Sequence, residues 1–387
     1  MMFCLFFPII VYFMFLFGPH YGAGVSMSKE KSGEPTIRML KGLRKDVRDA
    51  LEAIGIYYIK DLLLYSPNRL SELTGISRER CERILDMAIA YLDEQRKKIM
   101  TLEEFQKVRG ERIFISTGSH SLNRILHGGW SVGEVTELVG PYATGKSQAV
   151  YTALATVFLP PISKNEINEV LYGGEEEKEE GEAEKSTRRT RKKKVKEIHW
   201  GLNSGDNISA VIVDAERTFD INRFKKILKR FELEEREILK RIFITRPESA
   251  WDQRKVIEGL VKVVRENNVK LVVVDSLTKL PRADFSGQGE LYARQRLIFD
   301  MVEKLRRIAV NYRIVVLITN QVVATPSVLY GRGYKPIGGH VLAHTVDTRL
   351  LMVRLNDPYR KVMILDSSWL PPAECKIRIS EEGIMDA

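Results

Sequence analysis

The chain has 387 residues, which is enough for about two or three domains that each bury a core. Its 61 basic and 51 acidic residues leave a formal net charge of +10, which favours a polyanionic partner but does not identify one. The three cysteines are odd in number and widely spaced. This pattern excludes a disulfide scaffold, argues against a metal or redox motif, and fits a reducing cytoplasm.

The N-terminal stretch is apolar. Residues 1–18 carry no charge, lack the positive segment of a secretory signal, and are interrupted by Pro8. They are also at the short end of the roughly 20 residues that span a bilayer. Because Met27 opens a polar segment, we interpret residues 1–26 as a misassigned start, and residues 1–35 as an N-terminal extension with no membrane role. The alternative is a membrane-tethered ATPase.

Residues 36–96 predict a small all-α domain. Val47, Leu51 and Ile54 recur at the three- and four-residue spacings of an amphipathic helix, and glycines separate several such patterns. A charged connector at residues 97–109 leads to the larger domain.

Residues 110–387 predict an α/β domain in which apolar strands alternate with helices, an order typical of a mostly parallel sheet. The predicted strands lie near residues 135–139, 208–214, 241–245, 270–275 and 313–319, and the predicted helices near 146–158, 222–231, 252–267 and 291–312. The tail predicts antiparallel strands added at one edge, near residues 350–355, 362–365 and 376–379.

A charged insertion interrupts this domain at about residues 163–206. Its centre, 173–197, is acidic and then basic, and it lacks the apolar area that would offset chain entropy, so it predicts disorder. A solvated insertion is the favoured interpretation. A tail that binds nucleic acid or a partner remains the alternative.

Residues 140–147 match the phosphate-loop pattern G-x-x-x-x-G-K-S directly after the apolar run 135–139. The glycines permit a tight turn whose N–H groups face phosphate oxygens at the start of a helix. Lys146 is expected to reach the β and γ phosphates of ATP, and Ser147 to ligate Mg²⁺. The predicted nucleotide-binding residues of this segment are Gly140, Pro141, Tyr142, Ala143, Thr144, Gly145, Lys146, Ser147 and Gln148.

Other polar residues follow predicted strands, whose carboxyl ends should meet over the phosphates. Asp275 closes a hydrophobic strand and is expected to hold Mg²⁺. Glu216 is expected to activate the attacking water, with Asp214 as a competitor that could instead cap a turn. An amide at Asn320 or Gln321 could sense the γ phosphate.

From residue 36 onward, these residues together resemble the RecA-type recombinases, specifically archaeal RadA and its eukaryotic counterparts. The likeness is carried in family order by residues 115–119, 128–129, 140–148, 214–219, 271–277, 319–322 and 336–344. It implies a RecA-like ATPase core preceded by a helix-hairpin-helix domain. It further implies a protein that uses ATP and Mg²⁺ to coat single-stranded DNA and promote homologous pairing and strand exchange.

The resemblance also implies roles for single residues. Glu216 would be the water-activating base, Arg223 would lie against the adenine, and Gln321 would couple the γ phosphate to the next loop. Residues 281–290 and 322–337 would be the two DNA-binding loops. Their cations would be Arg282, Arg294, Arg332 and Lys335.

Three departures from the family leave the mode of assembly open. Gln288 stands where a second loop arginine is usual, and Arg44 changes the helix-hairpin-helix turn. Ile99 and Leu102 stand where a phenylalanine and an alanine usually join protomers, and Leu102 risks overpacking by about 1–3 kcal/mol. The leading hypothesis is a homo-oligomeric filament or ring on single- and double-stranded DNA. The alternative is a RadA-like paralogue that binds ATP and DNA and regulates another recombinase.

Overall fold

The computed structural model describes residues 34–95, 99–173, 198–324, 334–338 and 342–387. Most of the predicted N-terminal extension and the centre of the charged insertion therefore lie outside the described residues. So does part of the predicted second DNA-binding loop.

The N-terminal described segment is a small helical domain. Ser66 accepts a hydrogen bond from the Arg69 N–H, and Pro67 begins the next helix at a position that lacks a partner for an N–H anyway. Gly75 ends that helix at a φ of +72°, a left-handed conformation that favours glycine. A 3₁₀ turn at Ile37–Met39 precedes four helices: α1 Lys45–Ala53, α2 Ile59–Leu62, α3 Pro67–Thr74 and α4 Arg78–Gln95.

The second domain is α/β, as predicted. Helix α5 Leu102–Arg109 lies in the predicted linker, and the described helices of the second domain are α6 His120–Ile125, α7 Lys146–Thr156, α8 Lys164–Tyr172, α9 Ile221–Arg230, α10 Glu235–Leu239, α11 Ala250–Glu266, α12 Lys279–Asp284 and α13 Leu291–Tyr312. Its described strands are β1 Phe114–Ile115, β2 Trp130–Ser131, β3 Val135–Val139, β4 Ser209–Asp214, β5 Ile242–Thr245, β6 Val269–Asp275, β7 Val315–Asn320, β8 Val322–Ala324, β9 Tyr334–Pro336, β10 Thr348–Arg354, β11 Tyr359–Ser367, β12 Glu374–Ser380 and β13 Gly383–Asp386.

Nine of the described strands form one sheet in the order β13-β12-β11-β10-β3-β7-β6-β4-β5. All strands from β10 to β5 in that order pair in parallel, and β11, β12 and β13 pair antiparallel beyond them. The prediction that the tail adds only antiparallel strands was therefore wrong for its first strand. β3 has β7 on one side and β10 on the other. β10 runs parallel to β3.

Both faces of the parallel strands are covered, which is why these strands read as continuous apolar runs. Successive residues point to opposite faces. Val272 and Val274 pack in one core with α11 and α13, while Leu271 and Val273 pack in the other with α7 and α9.

The described ends of the charged insertion pack against the α/β domain. Ile167 and Leu171 on α8 are buried with Phe114 and Trp200. The indole Nε1 of Trp200 donates a hydrogen bond to the Gly128 carbonyl at 3.0 Å. Residues 163–173 thus begin the insertion as a packed helix.

Within the described ranges, no helix has the length and apolarity needed to cross a bilayer.

The helical domain docks on α11 and α13 through buried polar contacts. The carboxylate of Asp61 is fully buried and accepts hydrogen bonds from the Arg265 guanidinium at 2.9 Å and from the Tyr312 hydroxyl. Arg69 makes a two-pronged pair with Glu258. A buried charge is tolerated only when it is paired in this way, so these contacts fix how the domain sits.

Lys304 on α13 is buried at the same docking surface. Its Nζ donates to the Leu64 carbonyl at 3.3 Å and lies 3.5 Å from the centre of the Tyr65 ring. Burial lowers the pKa of Lys304 from 10.5 to about 7, although Glu258 acts in the opposite direction. At a pH between these two values the unfolded chain holds a proton that the folded protein releases.

We therefore predict that Lys304 makes the free energy of unfolding increase as the pH rises from about 7 towards 10.5. In Lys304→Met this increase should be smaller, by on the order of 3 kcal/mol, because the buried amine is gone. Urea unfolding at several pH values measures it, with Lys255→Met on the exposed side of α11 as the control. Equal pH dependence in wild-type protein and Lys304→Met would contradict this account.

Candidate nucleotide and magnesium site

The phosphate loop, residues 140–145, joins β3 to the first turn of α7. Gly145 has a φ of +94° and Ala143 a φ of +60°, so the loop turns through two left-handed positions before the helix begins. A Cβ on Gly140 would lie 2.3 Å from the Met352 carbonyl oxygen, and one on Gly145 would lie 2.7 Å from Ile379 Cδ1. At Gly140 the β10 backbone leaves room only for glycine, whereas at Gly145 the left-handed φ favours glycine and Ile379 on β12 would have to move to admit a Cβ.

Lys146 folds back over the phosphate loop. Its Nζ donates hydrogen bonds to the carbonyls of Gly140 at 2.9 Å and Pro141 at 2.8 Å. Burial lowers the pKa of Lys146 from 10.5 to about 8, while the charges of Asp275 and Glu216 act in the opposite direction. The side chain therefore stays mostly protonated at neutral pH and can neutralise phosphate charge.

Asp275, at the end of β6, is buried beside the loop. One carboxylate oxygen accepts a hydrogen bond from the Thr319 hydroxyl on β7. Burial raises the pKa of Asp275 above its usual range, and the hydroxyls of Thr319 and Ser147 partly offset that effect. The other oxygen, Oδ2, is buried and makes no hydrogen bond within the described part of the chain.

This arrangement fits Mg²⁺. A buried carboxylate oxygen without a hydrogen bond is the ligand that a hard cation needs, and the Ser147 hydroxyl lies beside the same carboxyl group. Magnesium is usually held by one or two carboxylates together with substrate phosphates, so a dedicated cluster of acidic residues is not required. The described residues contain no such cluster.

Glu216 follows β4 and reaches the ends of the neighbouring strands. Its Oε1 accepts hydrogen bonds from the Ser276 hydroxyl at 2.7 Å and the Gln321 amide at 3.4 Å. Its Oε2 lies 3.4 Å from the Lys279 Nζ. Glu216 and Gln321, which come from strand ends far apart in the sequence, are thus in contact.

Asp214 and Asn320, the alternatives to Glu216 and Gln321, make contacts within the fold. Both oxygens of Asp214 are engaged, because they accept hydrogen bonds from the N–H groups of Thr218 and Phe219 and from Arg246. Asn320 bridges β3 and β7 by donating to the Glu137 carboxylate at 2.7 Å. Asp214 and Asn320 therefore serve the fold, which leaves Glu216 and Gln321 as the candidates to contact substrate.

Glu137, in the middle of β3, is fully buried under the phosphate loop. Arg349 on β10 donates to it at 2.5 Å, and Asn320 donates from β7. Burial raises the pKa of Glu137, and its two partners act in the opposite direction. This buried pair connects the three central strands that carry the site.

The predicted DNA-binding cations lie in different environments. Arg282, on α12, is exposed and donates to the Gln321 Oε1 at 3.1 Å. Arg294 is partly buried and donates to the Phe285 carbonyl at 3.1 Å, so it braces the end of the first predicted loop. Arg332 and the side chain of Lys335 lie outside the described residues.

Arg223, predicted to lie against the adenine, sits on α9. Its guanidinium donates to the Ser380 carbonyl at 2.8 Å, at the turn between β12 and β13. The adenine contact stays a prediction. Ser380 belongs to a tail strand, so the tail helps to position this side chain.

Sequence reasoning missed several members of the site. Ser276 and Lys279 contact Glu216, and Thr319 contacts Asp275. Ser276 and Thr319 are adjacent in the sequence to residues that were predicted, which is the signal that could have found them. Lys279 lies one turn further along, between the predicted strand and the first predicted DNA-binding loop, where no role was predicted.

Comparison with known proteins gives a consistent picture. The family model described as Rad51 matches residues 108–178 and 197–387. The chain is 30% identical over 370 residues to the DNA repair protein RAD51 of Saccharomyces cerevisiae, covering 94% of this chain and 79% of that protein. It is 32% identical over 349 residues to the DNA repair protein RAD51 of Mycosarcoma maydis, covering 89% of this chain and 88% of that protein.

We predict that Gly140→Ala weakens ATP binding by about tenfold or more. The new methyl group would overlap the Met352 carbonyl and approach the Thr144 hydroxyl at 2.9 Å, and overpacking of this kind costs about 1–3 kcal/mol. Calorimetric titration with ATP and Mg²⁺ measures it. The control is Gly259→Ala on α11, where a Cβ meets no atom within 4 Å. Equal affinity in Gly140→Ala and wild-type protein would contradict the role assigned to this glycine.

Proposed function

This chain belongs to the Rad51 family of RecA-type recombinases, and from that membership we propose that it acts in DNA repair and homologous recombination as a DNA-dependent ATPase. In this role it would coat single-stranded DNA and promote homologous pairing and strand exchange. One observation carries the proposal. The Gln321 amide contacts both Glu216, the proposed water-activating base, and Arg282, a proposed DNA contact.

Each side chain of the site would have a separate role in ATP hydrolysis. The phosphate loop would bind the triphosphate through its N–H groups, with Lys146 neutralising charge on the transferred phosphoryl group. Ser147 and Asp275 would hold Mg²⁺, which supplies further neutralisation of phosphate charge. Glu216 would accept the proton of the attacking water, and Gln321 would donate to the phosphate or orient that water.

DNA binding would come from the loops at the same edge of the sheet. Arg282 is exposed there, and β8 pairs with β9 so that the two described ends of the second loop meet. We propose contacts to phosphates from Arg282, Arg332 and Lys335, with Arg294 shaping the first loop instead. Such contacts bind without reading sequence.

Double-stranded DNA would bind the helical domain, residues 36–96, only weakly. In its altered turn, Gly42 and Arg44 are exposed, but the Arg44 guanidinium pairs with the Asp46 carboxylate at 3.2 Å. That pairing competes with any phosphate.

We also propose that the chain is similar to archaeal RadA and that it is located in the cytoplasm. The location is favoured by cysteines that are free at positions 81 and 375.

Assembly would use the linker at residues 97–109. Ile99 is 88% exposed and Leu102 is 86% exposed, while a capping box between Thr101 and Glu104 fixes the start of α5 behind them. Two highly exposed apolar side chains beside a capped helix start support an interface with another chain. We propose that this chain is a second copy. A regulatory partnership with another recombinase is the alternative, and it is favoured by the bulk of Leu102 together with Gln288, Arg44 and the charged insertion.

We predict that Lys146→Ala abolishes ATP hydrolysis, because the phosphate charge loses its buried partner. A turnover assay with Mg²⁺, with and without single-stranded oligothymidine, tests the proposed function. Wild-type protein should turn over faster with DNA, while Lys146→Ala should be inactive in both conditions. Undiminished turnover in Lys146→Ala, or wild-type turnover indifferent to DNA, would refute the proposal.

We also predict that Ile99→Glu lowers the size of the assemblies formed with ATP and single-stranded DNA, because a charge would have to be buried at the joint. Light scattering and electron microscopy measure this. Val310→Glu, which changes another exposed apolar residue on α13, should assemble normally. A wild-type protein that never assembles alone would favour the regulatory alternative.

A further inference from the structure

Two cations on one short helix reach two different residues of the proposed hydrolysis site. Lys279 and Arg282 lie three positions apart on α12, so they share one face of the helix. The Lys279 Nζ donates to the Glu216 carbonyl at 3.1 Å and lies 3.4 Å from the Glu216 Oε2. Arg282 donates to the Gln321 Oε1 at 3.1 Å.

These contacts hold both oxygens of the Glu216 carboxylate. Oε1 accepts from Ser276 and Gln321, and Oε2 faces the Lys279 ammonium. A general base has to be within hydrogen-bond reach of the water whose proton it takes. Donors that already occupy the carboxylate compete with that water, and the ion pair adds an attraction that turns the carboxylate towards α12.

The contact made by Arg282 is the weaker end of this cluster. Arg282 is exposed and its partner is a neutral amide. A DNA phosphate carries a full negative charge and can accept two parallel hydrogen bonds from a guanidinium, neither of which the neutral Gln321 amide offers. A phosphate that reaches Arg282 would therefore displace Gln321 as its partner. Because α12 has only six residues, a shift at Arg282 would also be felt at Lys279.

We propose that Lys279 is a positioning residue that restrains Glu216 while no DNA is bound, and that capture of a phosphate by Arg282 moves α12 and releases the carboxylate. This inference rests on the proposed function, because it takes Glu216 as the base and Arg282 as a DNA contact. It goes beyond that function by assigning DNA stimulation to one ion pair within a single subunit.

The restraint should be small enough to test without unfolding the protein. The side chain of Lys279 is 40% exposed and that of Glu216 is 21% exposed, so their ion pair contributes little to stability. Turnover of the full chain is measured at saturating ATP and Mg²⁺, without DNA and with saturating oligothymidine. Lys279→Ala should raise the DNA-free kcat by about two- to fivefold, the change that a pair of this exposure can carry.

In the same assay, the kcat of Lys279→Ala with DNA and its KM for ATP should match those of wild-type protein, so the stimulation by DNA shrinks. Lys279→Arg, which keeps the cation, should restore the low DNA-free rate. Lys255→Ala removes an exposed lysine from α11 and should behave as wild type throughout. If Lys279 merely supported the fold, Lys279→Ala would instead lower the kcat without DNA, the kcat with DNA and the melting temperature together.

The remaining outcomes separate the restraint from the proposed function. A DNA-free kcat of Lys279→Ala that is equal to or below that of wild-type protein overturns the restraint alone. Glu216→Gln is measured in parallel, and it should be inactive with and without DNA. Full turnover in Glu216→Gln, or no turnover in wild-type protein, overturns the proposed role of Glu216 and the restraint with it.

Discussion

The buried ion pair between Glu137 and Arg349 is the interaction on which the site depends. It joins β3 to β10, and Asn320 extends it to β7, so the three central strands share one buried network. Breaking such a pair leaves a charge without a partner, which typically costs about 3–5 kcal/mol, so the strands cannot slide independently. The phosphate loop after β3 and Gln321 after β7 therefore keep a fixed relation before any ligand arrives.

The parallel strands and their helices could be predicted because their signals are local. Buried strands read as apolar runs such as 271–274, and the phosphate loop is a contiguous pattern ending at Ser147. The direction of β10 could not be predicted in this way. An apolar strand reads alike whether its neighbour is parallel or antiparallel, and β10 pairs in parallel with a strand more than 200 residues earlier. The apolar residues of α8 were likewise hidden among the charges of the insertion.

The candidate site was predicted by residue type, and its contacts were not. Lys146, Asp275, Glu216 and Gln321 were each expected from motifs or strand ends, and the structure brings them together. Which donors hold them depends on the register between strands and on side-chain direction, neither of which a single sequence contains. For the same reason, the sequence could not show which group Arg294 contacts. A cation near a predicted loop is a sound candidate for phosphate binding, yet here it supports the Phe285 carbonyl.

Helix α13 gives the site a connection to the rest of the molecule. At its start, Arg294 braces the first predicted DNA-binding loop, and towards its end Lys304 and Arg307 donate to carbonyls of the helical domain. A helix of 22 residues spans about 33 Å and behaves as a stiff rod. The far end of the helix is also tied to the helical domain by the hydrogen bond from Tyr312 to the buried Asp61, so it resists shear, whereas Arg282 beside its near end makes one exposed hydrogen bond. Movement induced by a bound polynucleotide should therefore be taken up at α12, close to Glu216, while the helical domain stays in place.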